Sequence, residues 1–150
     1  MAGMGKRMRP HSLTIPKPLI PVAGKPIVQH LIEGISDVCK EPIEEVAYVV
    51  GHFGEEVENH LKKIAGLLNA KASIYYQEEA LGTAHAVHCA AESLSGKTIA
   101  AFADTLFRAD FTINEAHDAT IWVQKVNNPS AFGVVKLDDS GKITDFIEKP

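Results

Sequence analysis

The feature that most restricts what this chain can fold into is an alternation between two hydrophobic periods. After Pro26, apolar Ile27, Val28, Leu31, Ile32, Ile35 and Val38 recur at helical spacing. Proline suits a helix start, because the amide it lacks would have no partner there. This helix is expected to end near Cys39, Lys40, Glu41 and Pro42. Residues 46–50 are a β-branched run closed by Gly51 and read as a buried strand. Residues 54–65 set Val57, Leu61 and Ile64 among charged side chains, the pattern of a surface helix. Residues 72–76 read as the next strand, residues 81–93 as an alanine-rich third helix, and residues 98–102 as another buried strand running up to Asp104.

Strand and helix alternating at these intervals build βαβ crossovers. The expected fold is therefore Rossmann-like: three α/β/α layers around a mostly parallel sheet. Ligands of such sheets sit beyond the carboxyl ends of the strands, and Gln77, Asp104 and the loop after Val50 all fall at such ends. From Thr120 the texture changes to Ile121-Trp122-Val123, then residues 132–137 and 142–147 around Asp138-Asp139-Ser140-Gly141. That is an extended hairpin with an Asp/Gly turn, expected to extend the sheet and fold over the site.

A chain of 150 residues with 45% hydrophobic content fills one domain with a substantial core. Its net charge of −4 weighs against a general nucleic-acid binder. Basic Lys6, Arg7, Arg9, Lys17 and Lys25 nevertheless gather near the start, which points to a small anionic ligand. Only Cys39 and Cys89 occur, and there is no secretory h-region or apolar run of bilayer length. No membrane association is expected, and a reducing cytoplasm fits best.

The basic loop reads Gly3-Met4-Gly5-Lys6-Arg7-Met8-Arg9-Pro10. Two glycines one residue apart permit tight turns whose amides can point at an anion, so the stretch reads as a polyphosphate cradle. It is not the Gly-x-Gly-x-x-Gly of dinucleotide folds, because Met8 stands at the third glycine, and it lacks P-loop spacing. Gly96-Lys97-Thr98 resembles a P-loop tail, but Ala91 occupies the first glycine position. His85 and Cys89, at i and i+4, with His88 alongside, are too few for a zinc site.

Taken with Pro16-Lys17-Pro18-Leu19-x-Pro21-Val22 and Gly24-Lys25-Pro26, the loop resembles the signature of sugar-1-phosphate nucleotidyltransferases, the nucleoside-diphosphate-sugar pyrophosphorylases. Further matches follow in the family's order. Gln77-Glu78-Glu79-x-Leu81-Gly82-Thr83-Ala84-His85-Ala86 is similar to its base-recognition segment, and Phe102-Ala103-Asp104-Thr105-Leu106-Phe107 to its metal segment. Phe132-Gly133-Val134-Val135 and Ile147-Glu148-Lys149-Pro150 are similar to its two sugar-contacting segments. Ala103 stands where the family usually has glycine, and Lys6 where many relatives have threonine or serine.

The resemblance implies an enzyme that transfers a nucleoside monophosphate from a nucleoside triphosphate to a sugar-1-phosphate, releasing pyrophosphate. It implies Arg7 on the β- and γ-phosphates, and Lys17 at the junction of sugar phosphate and α-phosphate. Gly3, Gly5, Gln77, Gly82 and Thr83 would bind the nucleotide, and Gly133, Glu148 and Lys149 the sugar phosphate. Asp104 would hold Mg²⁺, a hard cation suited to an oxygen ligand. The planar Gln77 amide can pair with a pyrimidine edge, and residues 77–86 look most like glucose-1-phosphate uridylyl- and thymidylyltransferases. UTP or dTTP is therefore the expected donor, with glucose-1-phosphate or an N-acetylated hexosamine phosphate as acceptor. The alternative is a non-catalytic regulatory subunit of the same fold, against which the presence of Gly3, Arg7, Lys17 and Asp104 speaks.

Family members often self-associate, and nothing in this sequence sets an oligomeric state. Such a loop normally follows a buried first strand, and the family carries a second metal-binding aspartate further along. Residues 1–150 are therefore expected to be a partial nucleotidyltransferase domain, its N-terminal catalytic portion, with weak or no activity alone.

Overall fold

Prolines set the first turn. Pro16 and Pro18 flank Lys17 in a 3₁₀ turn, Lys17–Leu19, closed by Leu19 N–H to Pro16 C=O at 2.8 Å. Their fixed φ preorganises this turn, and buried Leu19 anchors it in the core. The computed structural model describes residues 16–108, 110–114 and 116–148. They belong to two compact units, one reaching to Ile113 and the other starting at Asn114. The glycine-rich start with Gly3, Gly5, Lys6 and Arg7, and Lys149 at the other end, lie outside the described residues.

In the first unit, β1 (Pro21–Val22) and β2 (Lys25–Pro26) pair antiparallel. Ala23 and Gly24 between them have φ of +48° and +84°, and two positive φ values characterise the tight type I′ hairpin turn. Helix α1 (Ile27–Val38) follows directly and buries Val28, Leu31, Ile32 and Val38, the stripe its spacing predicts. Strand β3 (Glu45–Val50), helix α2 (Glu55–Gly66) and strand β4 (Lys71–Tyr76) form the expected βαβ unit. The strands are parallel, with Glu45 opposite Lys71 and Val50 opposite Tyr76. Glu55, Glu56 and Glu58 in the first turn of α2, with Lys63 in its last, complement the helix dipole.

The core forms where α1 and α2 meet this parallel pair. Leu19, Val28, Ile32, Tyr48, Val50, Leu61, Ile64 and Ala65 make one cluster, with Leu61 and Val50 fully enclosed. The Tyr48 hydroxyl is buried in it without a hydrogen-bond partner among the described residues, and burial pushes its pKa up.

Helix α3 (Thr83–Cys89) is shorter than its alanine-rich pattern suggests and gives way to a 3₁₀ turn, Ala91–Ser93. That turn is tied back to the sheet by a relay. Tyr75 O–H donates to Ser93 Oγ at 2.7 Å, and Ser93 Oγ donates to Glu45 Oε1 at 2.8 Å. Residues 98–102, expected as a buried strand, are instead exposed and join no ladder among the described residues. A strand needs a neighbour to satisfy its amides and cover its apolar side chains, so apolar composition alone does not produce one here. The parallel sheet accordingly has two strands among the described residues.

In the second unit, β5 (Gly133–Leu137) and β6 (Ile143–Glu148) form the expected antiparallel hairpin. Asp138 organises its turn: Oδ1 accepts from Ser140 N–H, Ser140 Oγ–H and Lys142 N–H at 2.7 to 2.9 Å. These bonds hold the Asp138 carboxyl below the usual carboxylate range. The two strands pair only with each other, and residues 121–123 join no ladder among the described residues. No helix among the described residues is long and apolar enough to cross a membrane.

Candidate active site

Lys17 leaves the proline-braced turn with its side chain largely covered, at 30% exposure. Its Nζ reaches to 3.5 Å from Asp104 Oδ2. Asp104 sits on a turn after residues 98–102, closed by Thr105 N–H to Phe102 C=O at 3.2 Å, with Thr105 Oγ1 near Oδ1 at 3.4 Å. Asp104 does not end a buried strand as expected, and its side chain is 59% exposed. What the fold does is bring together two residues 87 positions apart in the chain, one offering positive charge and one a hard oxygen ligand. Lys25, another basic residue of the opening stretch, is held by Glu33 at 2.8 Å. That contact, with a second from Gln29, keeps the Glu33 carboxyl below the usual range.

Gln77 continues β4 by one residue, its N–H donating to Val50 C=O at 2.9 Å. It is buried, 9% exposed. Its Nε2 donates to Gly82 C=O at 3.0 Å and to Nδ1 of His85 at 3.0 Å. A carbonyl can only accept, so the amide orientation is fixed: the nitrogen faces Gly82. Nδ1 of His85 must then be the acceptor, which places the imidazole proton on Nε2, 3.9 Å from Cys89 Sγ. Both Gln77 N–H bonds are thus used within the protein, and Oε1 has no partner among the described residues.

Gly82 turns the chain from that amide into α3 with φ +99° and ψ −177°, a region only glycine occupies readily. Thr83 begins the helix and is exposed. In the hairpin unit, Gly133 and Glu148 are cross-strand partners. A Cβ on Gly133 would stand 3.0 Å from Glu148 Oε2, so the glycine makes room for that carboxylate. Gly3, Gly5, Arg7 and Lys149 lie outside the described residues.

Sequence reasoning missed two groups. The contact of His85 with Gln77 is one: the sequence places His85 in the base-recognition segment and beside Cys89, but a first-turn side chain leaning toward the helix N-terminus also reaches the preceding strand end. The other group follows the strand ends: His52 stacks on Tyr76 at 4.7 Å and meets Glu78 at 2.8 Å. Tyr76 O–H in turn donates to Glu58, which pushes the phenol pKa up. Its signal is a histidine two residues past a strand end, beside an aromatic on the neighbouring strand. No cluster of three or more histidine, cysteine, aspartate or glutamate side chains placed to share a metal ion occurs among the described residues. A Mg²⁺ at Asp104 would therefore have a single carboxylate ligand among the described residues and would need its remaining ligands from phosphates and water.

Comparison with known proteins adds to this geometry. The nucleotidyl transferase family model matches residues 1–150. The bifunctional protein GlmU of Methanococcus maripaludis is 34% identical over 149 residues, covering 99% of this chain and 34% of that protein. The mannose-1-phosphate guanylyltransferase catalytic subunit beta of Drosophila melanogaster is 36% identical over 160 residues, covering 100% and 42% respectively. This chain thus spans well under half the length of these relatives. Among solved structures, a UDP-glucose pyrophosphorylase from Acinetobacter baumanii shares the fold with TM-score 0.51 at 24% identity, over 63% of this chain and 39% of that one.

Proposed function

Because the chain belongs to the nucleotidyl transferase family over residues 1–150, we propose that it supplies the catalytic half-site of a sugar-1-phosphate nucleotidyltransferase. The donor is UTP or dTTP, and the products are a nucleotide sugar and pyrophosphate. The observation that carries the reading is the approach of Lys17 Nζ to Asp104 Oδ2 at 3.5 Å. It joins the two segments that the family resemblance assigns to phosphate and metal.

In this mechanism an oxygen of the sugar phosphate attacks the α-phosphorus in line, and pyrophosphate leaves from the opposite side. The nucleophile is already an anion, so no general base is required and the protein's task is to position two mutually repelling substrates. Lys17 holds the sugar phosphate against the α-phosphate and neutralises charge that builds in the transition state. Arg7 does the same for the departing β- and γ-phosphates. Mg²⁺ held by Asp104 would supply further neutralisation of phosphate charge. Gly82 gives the base access to backbone, Thr83 and the loop glycines Gly3 and Gly5 bind the nucleotide, Gly133 leaves room for the sugar, Glu148 accepts from its hydroxyls and Lys149 pairs with its phosphate.

The pyrimidine preference rests on residues 77–86 and on the Gln77 carboxamide at the strand end. Pyrophosphate release by protein carrying this sequence, measured across UTP, dTTP, GTP, CTP and ATP with a panel of sugar-1-phosphates, tests the proposal. Release that requires both a sugar phosphate and UTP or dTTP supports it, and a clear GTP preference overturns the base assignment. Nucleotide binding without any release would point to the regulatory-subunit reading instead.

A further inference from the structure

We propose that His85 is a positioning residue that turns Gln77 into an acceptor-only reader of the nucleobase. The inference rests on the nucleotide-site reading above and concerns how that site chooses among pyrimidines.

A free carboxamide is ambiguous. It presents a donor beside an acceptor and can meet either kind of base edge by turning over. Gln77 has lost that freedom at both of its N–H bonds. One goes to Gly82 C=O at 3.0 Å, which sets which way the amide faces. The other goes to Nδ1 of His85 at 3.0 Å, which removes the donor that would otherwise remain. Because Gln77 is only 9% exposed, turning the amide would leave Gly82 C=O facing an oxygen with little water to relieve it.

What remains is Oε1, and an acceptor selects a base that presents N–H. Uracil and thymine carry a proton on N3, whereas cytosine carries a lone pair there. With His85 in place, Gln77 can satisfy the first and repels the second. With Nδ1 removed, the freed N–H can meet the cytosine lone pair, and discrimination falls. A site built to pair with an N–H rejects an analogue lacking it, because the protein group is left unpaired.

Two measurements on the full chain test this. In the unliganded protein, ¹⁵N NMR of the imidazole should show His85 protonated on Nε2 with Nδ1 unprotonated; a proton on Nδ1 overturns the inference. Equilibrium binding of UTP and CTP is then compared for wild type, His85→Leu and His85→Asn. Asparagine can return an acceptor oxygen close to where Nδ1 stood. The expected result is a UTP-over-CTP preference that drops roughly tenfold in His85→Leu, with CTP binding gained, and returns in His85→Asn. A preference unchanged in His85→Leu overturns the positioning role while leaving the nucleotide site standing. If wild type binds neither nucleotide, the nucleotide-site reading itself fails, and the inference with it.

Discussion

Lys17 Nζ lies 3.5 Å from Asp104 Oδ2, with side-chain exposures of 30% and 59%. With Asp104 largely exposed, solvent screening leaves such a pair only about 0–1 kcal/mol of folding stability. On the proposed reading Lys17 acts instead on a phosphate. Lys17→Ala is therefore expected to lower turnover by two to three decades, about 3–4 kcal/mol of transition-state stabilisation, while the thermal midpoint barely moves. Arg7→Ala should behave alike. Steady-state pyrophosphate release and a thermal melt on each variant check this, and wild-type turnover in both would sink the assignments.

Gly82→Ala should destabilise the fold by about 1–3 kcal/mol, because φ +99° with ψ −177° is strained for any residue with a Cβ. An added Cβ there meets nothing within 4 Å, so the cost is backbone strain and not collision. Gly66→Ala, at the end of α2 and equally uncrowded, should instead stabilise by about 0.5–1 kcal/mol. Urea unfolding of both variants separates the two effects. Equal shifts would contradict the conformational argument.

Tyr48 buries a hydroxyl with no partner among the described residues. Replacing it by phenylalanine keeps the ring in the core and removes an unsatisfied group, so Tyr48→Phe is expected to raise stability by about 1 kcal/mol. A loss of stability in denaturant titration would mean that the hydroxyl is satisfied in solution.

Glu45 links β3 to the turn after α3, and hydrogen bonds from Ser73 and Ser93, with a weaker attraction from Lys71, hold its carboxyl below 4.5. A carboxyl whose folded pKa is depressed stabilises the protein above its unfolded pKa, and that stabilisation fades as pH falls through the folded value. The stability gap between wild type and Glu45→Gln should thus be widest near neutrality and close below about pH 4.5. Urea midpoints across the acid range measure it, and a gap that widens on acidification would reverse the argument.

Local patterns carried much of the fold. The apolar periods over α1, β3, α2 and β4 reappear within a residue or two of where spacing places them, because each element buries one stripe against the same core. The Asp138–Gly141 turn was legible for a similar reason: an aspartate that accepts from the next amides and a glycine at φ +81° need no distant partner. Residues 98–102 differ from the expected strand because a mostly apolar run becomes a strand only when another strand stands beside it, which composition does not report.

For the site, the sequence by itself determined which chemistry was available: Lys17, Gln77, Gly82 and Asp104 in an order and spacing that resemble one family. Tertiary structure decided who meets whom. It placed Lys17 beside Asp104 and set Gly133 opposite Glu148. It also used both protons of Gln77 on Gly82 and His85, leaving an acceptor where the residue type alone offers donor and acceptor equally. The physical reason is that a side chain's chemical type is local, whereas its remaining hydrogen-bonding capacity depends on neighbours that only folding supplies.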